Sequence, residues 1–518
     1  METLESFVNG AWHRASSGHA TLQDPCTEEA IAQVSSQGID FAKALDHART
    51  VGGANLRAMT FAQRGELLMR MSKAITDARE DLLDVSIRNT GVTRKDAKFD
   101  IDGASGVLAY YAYQAKELGD RKLLIDGEGT QLGRSARFWG QHAWVPLRGV
   151  AVLINAFNFP AWGFAEKTAC AFLAGVPVLT KPATSSALVT ERCVRRLVES
   201  AGIPEGAFSF VAGSLGDGLD HLGAQDVLAF TRSASTGLSL RRRENLLATS
   251  ARVKIEADSL NAAVLAPDVE EGSETWNLFL RDVAREITQK TGQKCTAVRR
   301  IFVPEAQASL VRDELAARLS ETVTGNPLDD SVTMGPLATA AQLEDFVAGI
   351  AKLTSSGAEL VSGNGTRIDG VGAAAGKGYF VGPTLLFAGD PDRAEIVHTH
   401  EVFGPAATIL PYDGGATRAA ELVARGGGSL VSSIYSDDEA WLAELLPHAA
   451  AWNGRLYLGS AKMAEQAMGS GLALPQSKHG GPGRAGGGEE MGMLRGLGLY
   501  MQRVALQGSR AMIDRLLS

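Results

Sequence analysis

Cys295 lies in Thr291-Gly292-Gln293-Lys294-Cys295-Thr296, where a glycine-bearing turn follows a helical pattern. A cysteine there is either a small buried hydrophobe or a nucleophile, and a nucleophile needs a positive or hydrogen-bonding surround. Glu256 ends the strand-like run Val253-Lys254-Ile255. It reads as a solvated strand end or as a general base whose pKa is raised by burial. Asn158 follows the run ending at Ile154 and reads as a turn residue or as an amide donor to an oxyanion. Lys181-Pro182 follows the next strand, where a lysine is either solvated or directed at ribose or phosphate. Thr231-Arg232-Ser233-Ala234-Ser235-Thr236-Gly237 places small hydroxyls at a helix start, as a plain N-cap or as donors to a pyrophosphate. None of these decides a function alone. Their order, all within one run of alternating strands and helices, is what carries information.

The elements that must hold them follow from hydrophobic periodicity. Apolar runs at 150–154, 176–179, 207–211 and 227–230 have strand length, and helical patterns near 162–173 and after Thr184 separate them. Strands alternating with helices predict a parallel sheet with right-handed crossovers, whose ligands bind beyond the carboxyl ends of the strands. A second α/β series is expected from Val253 to about Ile434, with strands at 254–256, 262–265 and 300–303. The first hundred residues read as helical, with Leu68, Met71, Ile75, Ala78 and Leu82 on one face. Residues 120–145 read as a projecting β-ribbon that must lie on another surface. The segment His479–Gly488 is rich in glycine and must be a loop, either free on the surface or close to a ligand.

Composition narrows the class. The chain of 518 residues is too long for one core, so two or three domains are expected. Its 45% hydrophobic and 21% charged content excludes a mainly disordered chain. A net charge of −8 gives no general attraction to nucleic acid or anionic lipid, so neither is expected as a partner. Cys26, Cys170, Cys193 and Cys295 form neither a CxxC pair nor a cluster with histidine in sequence, so no metal site and no disulfide framework are expected. The acidic start Met1-Glu2-Thr3-Leu4-Glu5 is unlike a signal peptide, and the apolar run at 168–179 is too short to span a bilayer. A cytoplasmic protein is expected.

The ordered motifs resemble those of the aldehyde dehydrogenase superfamily along nearly the whole chain. They are Asn155-Ala156-Phe157-Asn158-Phe159-Pro160, Lys181-Pro182, Phe230-Thr231-Arg232-Ser233, the strand with Glu256, and Gly292-Gln293-Lys294-Cys295. Further on come Gly325-Asn326-Pro327, Met334-Gly335-Pro336-Leu337, Tyr379-Phe380-Val381-Gly382-Pro383-Thr384 and Glu401-Val402-Phe403-Gly404-Pro405. The resemblance implies an α/β fold of two parallel, Rossmann-like domains plus a β-ribbon oligomerisation element. It divides the chain into a dinucleotide-binding domain (1–120 and 147–254), a catalytic domain (255–475) and the oligomerisation element (121–146 and 491–518). A homodimer or homotetramer is expected.

The same resemblance implies roles. Cys295 would be the nucleophile, Glu256 the base for the deacylating water, and Asn158 with the Cys295 N–H the oxyanion hole. Lys167 would serve a proton relay whose carboxylate is Glu490 or Glu489, with Glu490 favoured. Ile154, Phe157, Lys181, Thr184, Ser233, Glu401 and Phe403 would hold the nicotinamide cofactor. NAD-preferring relatives often carry glutamate three residues after the strand-end lysine; Thr184 stands there, so NADP is expected, with NAD the alternative. The chain departs from the family at Arg232, usually glycine, at Glu256-Ala257-Asp258-Ser259-Leu260-Asn261, and in its glycine-rich tail. The last two departures resemble a branch that contains the dehydrogenase domain of phenylacetate ring-opening proteins and stand-alone dehydrogenases of aerobic benzoate degradation. Without room for a fused hydratase, the stand-alone kind is expected, oxidising 3,4-dehydroadipyl-CoA semialdehyde to 3,4-dehydroadipyl-CoA. The alternatives are a CoA-acylating semialdehyde dehydrogenase, which does not need Glu256, and a catalytically silent oligomeric binding protein.

Overall fold

The computed structural model describes residues 1–517. Short, largely apolar and buried central strands with more exposed edges build a seven-stranded sheet in the order Arg252–Glu256, Val227–Thr231, Ala151–Ile154, Val178–Lys181, Phe208–Phe210, Ser6–Val8, Ala11–His13. The first five run parallel; the last two add an antiparallel hairpin. Alternate side chains supply two cores. Ala151, Leu153 and Val178 face the long helices Phe61–Asp77 and Arg94–Leu118, while Val152, Leu179, Leu228 and Phe230 face the other side. Each Val, Leu or Phe among them contributes about 1.5–3 kcal/mol of burial.

Register is what gathers the chemistry. Ile154 pairs with Lys181 and with Phe230, and Thr231 with Glu256, so the strand ends singled out in the sequence form one rim. The chain leaves Ala151–Ile154 in one direction and returns to Val227–Thr231 on its other side. That reversal opens a crevice above the two carboxyl ends.

A second seven-stranded sheet has the order Glu359–Ser362, Thr384–Phe387, Ala406–Tyr412, Arg300–Pro304, Ala262–Leu265, Ser429–Tyr435, Asn453–Gly459, with only the first strand antiparallel. Its two faces also carry separate cores, one around Phe302 and Leu410, the other around Trp276 and Phe279. The ribbon Leu124–Gln131 and Phe138–Pro146 pairs with Met501–Ser509, and Arg510–Leu517 packs on it through Ile513 and Leu517.

Three local readings need correction. The first 34 residues hold five strands of two to five residues, too short to show a period of two, and the helices begin at Phe41. The stripe from Leu68 to Leu82 belongs to two helices, Phe61–Asp77 and Arg79–Thr90, broken at Ala78 while all five residues stay buried. Arg252–Glu256, expected to open the second series, is the edge strand of the first sheet; Ala262–Leu265 opens the second. Nothing in the five residues Arg252-Val253-Lys254-Ile255-Glu256 says which sheet the strand joins.

Candidate active site

Cys26, Cys170 and Cys193 are buried, and Cys295 alone is partly open. It is reached through a strained approach. Ser273 caps the helix Glu274–Thr288 by accepting the Trp276 N–H, and Lys290, Thr291 and Gly292 follow with φ of 53°, 56° and 62°. A left-handed conformation is costly for a β-branched residue such as Thr291. It is held by Thr291 Oγ1 donating to the Gly335 carbonyl and by the Lys290 N–H donating to Asp96. A Cβ at Gly292 would stand 2.2 Å from the Gly404 carbonyl oxygen, so glycine lets the cysteine loop touch the Glu401–Pro405 segment. Arg299 fastens the contact by donating to the carbonyls of Gly292 and Gly404. Asn261 donates to the carbonyls of Cys295 and Ala297, at 2.8 and 2.9 Å.

Cys295 lines a cavity together with Asn158, Glu256, Thr231, Lys167 and His479. Phe99, Phe159 and Trp162 form an aromatic wall, their rings edge to face with centroids 5.4–5.9 Å apart. His479 Nε2 lies 3.8 Å from Cys295 Sγ and 3.3 Å from Glu256 Oε1. Burial and then the neighbouring Glu256 carboxylate push the Cys295 thiol well up, so the resting sulfur is protonated. Burial also pushes Glu256 up, but His479, Lys254 and Lys167 outweigh it and hold the carboxyl below the usual range. Glu256 is therefore an ionised proton acceptor beside a protonated thiol.

Behind it runs a buried chain of charges. Lys167 Nζ lies 3.2 Å from Glu166 Oε1 and 3.4 Å from Glu490 Oε1, and Lys254 pairs closely with Glu490. Burial and then Lys167 lower Lys254 to about 7. Of the two carboxylates left open by the sequence, Glu490 is buried among these lysines; Glu489 is exposed and faces Lys478 at 4.0 Å. Asp100 accepts the N–H groups of Ala161 and Trp162, anchoring the start of the helix Trp162–Ala174 that bears Glu166 and Lys167. His479 and Glu490 are paired across a two-stranded hairpin. The glycines between them have a reason: a Cβ at Gly486, with φ 100°, would lie 2.2 Å from the Ile255 carbonyl oxygen, on the strand of Glu256.

The expected cofactor residues lie on the rim. Phe157 and Phe403 meet edge to face at 5.9 Å, and Arg299 stacks over Phe403 at 5.5 Å. Glu401 accepts the Ser259 N–H; burial, only partly offset by Arg299, raises it to about 7, and its Oε1 has no hydrogen-bond partner among the described residues. That oxygen forms an ion pair with Arg299 Nε at 3.5 Å and, without a hydrogen bond of its own, suits a ribose hydroxyl. Ile154 and Lys181 are half-buried at strand ends. Burial and then the Arg232 charge lower Lys181 to about 8, so two cations stand near each other with Thr184 half-buried close by in sequence. Ser233 is exposed before the helix Ala234–Arg241 and does not cap it. Instead the Asp258 carboxylate accepts the Ala234 N–H at 2.9 Å, taking the place a pyrophosphate would seek.

The sequence missed His479, Lys254, Glu166, Arg299, Asn261 and Asp258. Lys254 had a signal: it shares a strand face with Glu256, two residues on. His479 had none but its place at the head of the glycine-rich loop. It also completes a group invisible to sequence spacing, since ligand atoms of Glu256, Cys295 and His479 lie within 4.8 Å of one another. Among the described residues no helix is long and apolar enough to cross a membrane.

Comparison with known proteins agrees with this geometry. A model described as "Aldehyde dehydrogenase family" matches residues 12–502. The 3,4-dehydroadipyl-CoA semialdehyde dehydrogenase of Aromatoleum evansii is 44% identical over 480 residues, covering 92% of this chain and 93% of that protein. The alpha-ketoglutaric semialdehyde dehydrogenase of Bacillus subtilis is 27% identical, covering 80% and 81%. Among solved structures, a 3,6-anhydro-L-galactose dehydrogenase shares the fold with a TM-score of 0.85 at 23% identity, covering 98% of this chain and 100% of that one. A match running from the first sheet through the ribbon strand is a match of the whole architecture: the chain belongs to the aldehyde dehydrogenase family and is an NAD(P)-dependent oxidoreductase acting on aldehydes.

Proposed function

We propose that the chain oxidises 3,4-dehydroadipyl-CoA semialdehyde to 3,4-dehydroadipyl-CoA with NADP, through a thioester on Cys295. The observation that carries this reading is Cys295, partly open in an aromatic-walled cavity that Asn158, Glu256 and His479 also line. Cys295 Sγ attacks the aldehyde carbon as its proton passes to the Glu256–His479 pair. The Asn158 amide donates to the oxygen that gains charge, with the Cys295 N–H as second donor. A nicotinamide held at this rim would supply the acceptor for the hydride of the thiohemiacetal carbon. Glu256 then takes a proton from water, which releases the acid and frees the thiol. Protons leave toward solvent past Lys254, Lys167 and Glu490.

Glu401 would hold ribose hydroxyls and Phe403 would pack near the nicotinamide. Lys181, Arg232 and Thr184 form the 2′-phosphate site, supported by the two neighbouring cations. Ile154 and Phe157 line the same crevice, and Ser233 would meet the pyrophosphate, with which Asp258 would compete for the helix start. The relative from Aromatoleum evansii supports the substrate, and the aromatic wall suits an unsaturated chain. With the boundary moved past Glu256, because Arg252–Glu256 belongs to the first sheet, residues 1–120 and 147–256 serve as the dinucleotide-binding domain, 257–475 as the catalytic domain, and 121–146 with 491–518 as the oligomerisation element. The test is a steady-state screen of free and CoA-linked aldehydes with both cofactors. A CoA-linked C6 semialdehyde with NADP is expected to give the highest kcat/KM; a free aldehyde preferred over it would refute the substrate.

A further inference from the structure

We propose that Cys295, His479 and Glu256 also form a binding site for a thiophilic divalent cation such as zinc, and that its occupation reversibly silences the enzyme. A thiol, an imidazole and a carboxylate converge here within 4.8 Å. Tetrahedral zinc takes sulfur at about 2.3 Å and nitrogen or oxygen at about 2.0–2.2 Å, which sets donor–donor separations of about 3.3–3.6 Å. The observed separations from His479 Nε2 are 3.8 Å to sulfur and 3.3 Å to oxygen, so small side-chain shifts would close the triangle. The cavity supplies an open fourth position for water, as in zinc sites with three protein ligands.

Charge and proton positions favour the same outcome. Lys167 and Lys254 are matched by Glu166 and Glu490, which leaves the Glu256 carboxylate and a Cys295 thiolate for a dication to neutralise. On binding, the Sγ–H bond breaks, a sulfur–metal bond forms, and the proton leaves to solvent; nothing is oxidised or reduced. His479 is 5% exposed, and its Nδ1 is buried without a hydrogen-bond partner among the described residues. The tautomer protonated at Nδ1, which leaves Nε2 free to coordinate, therefore displaces no hydrogen bond at Nδ1. Metal and aldehyde would compete for one sulfur. Binding is independent of the function proposed above; silencing rests on it.

The experiment titrates chelator-treated full-length enzyme with Zn²⁺ against a chromophoric chelator, and with Co²⁺ in the spectrophotometer. One metal per chain is expected, with a thiolate-to-cobalt charge-transfer band that Cys295→Ser removes. His479→Phe should weaken zinc binding by about 100-fold or more, since even residues that only support a ligand cost 10–100-fold. Zinc should protect Cys295 of the wild type from alkylation and stop turnover, and chelator should restore both. Absence of stoichiometric binding, a cobalt complex without the charge-transfer band, or unchanged affinity in His479→Phe overturns the site. Should that variant fail to fold, alkylation of wild-type Cys295 at the same rate with zinc overturns it instead. Zinc bound at Cys295 with turnover unchanged would refute the silencing and the role of Cys295 in turnover together, while the metal site stands.

Discussion

Replacing Thr184 by glutamate should shift the cofactor preference toward NAD. A carboxylate there would lie on the half-buried turn Thr184–Ser186, three residues after Lys181, in the proposed 2′-phosphate site. At about 4 Å and an effective dielectric near 20, one pair of like charges repels by about 4 kcal/mol. Solvent reaches this turn, so roughly a third to two thirds of that should survive, about 1.4–2.7 kcal/mol. That corresponds to a tenfold to hundredfold fall in the NADP/NAD ratio of kcat/KM. Arg232 acts in the opposite sense: it is exposed, so Arg232→Gly should cost NADP only about 1 kcal/mol, roughly fivefold, and leave NAD nearly unchanged. The assay is initial-rate nicotinamide reduction with both cofactors in the wild type and both variants. A wild type that prefers NAD refutes the reasoning outright, and an unchanged ratio in Thr184→Glu shows that this turn does not read the phosphate.

Glu490→Gln should leave Lys167 and Lys254 buried with only Glu166 between them, costing about 3–5 kcal/mol in denaturant unfolding and slowing deacylation; an unchanged midpoint would remove Glu490 from the charge chain. Glu401 should make cofactor binding depend on pH. Its folded value of about 7 lies above the ordinary carboxylate value, so the ionised form gains as pH rises, and KM for the cofactor should fall between pH 6 and 8. The same shift means that its contribution to stability is full below the ordinary value and fades as pH rises through about 7. A Glu401→Gln variant that keeps the KM profile would contradict this. The ribbon exposes Ile125, Phe138 and, on its packed helix, Leu516, so sedimentation should find a dimer or tetramer that Phe138→Asp weakens; a wild-type monomer at micromolar concentration would contradict the assembly.

Much of the fold was legible because parallel strands buried on both faces read as short continuous apolar runs. Once the register of those strands is known, Ile154, Lys181, Thr231 and Glu256 fall on one rim without further information. The N-terminal strands were not legible, since three residues such as Ala11–His13 have no period to detect. Cys295, Glu256 and Asn158 could be picked out because each follows a turn or a strand end, where side chains meet ligands. His479 could not, because its partners are 184 and 223 residues away in sequence and only the glycine packing against Ile255 brings it to them. The resemblance favoured Glu490 over Glu489, but the physical reason lay beyond the sequence. Adjacent strand residues point to opposite faces, and which face meets Lys167 depends on the pairing of His479 with Glu490.

The central claim is that Cys295 carries the substrate as a thioester that Glu256 resolves. The direct measurement is a single-turnover experiment on Glu256→Gln with aldehyde and NADP, followed by mass analysis of the quenched protein. One nicotinamide reduced per active site, a steady rate near zero and an acyl group on the peptide containing Cys295 are expected. No adduct, an adduct on Cys26, Cys170 or Cys193, or steady turnover at the wild-type rate would contradict the account.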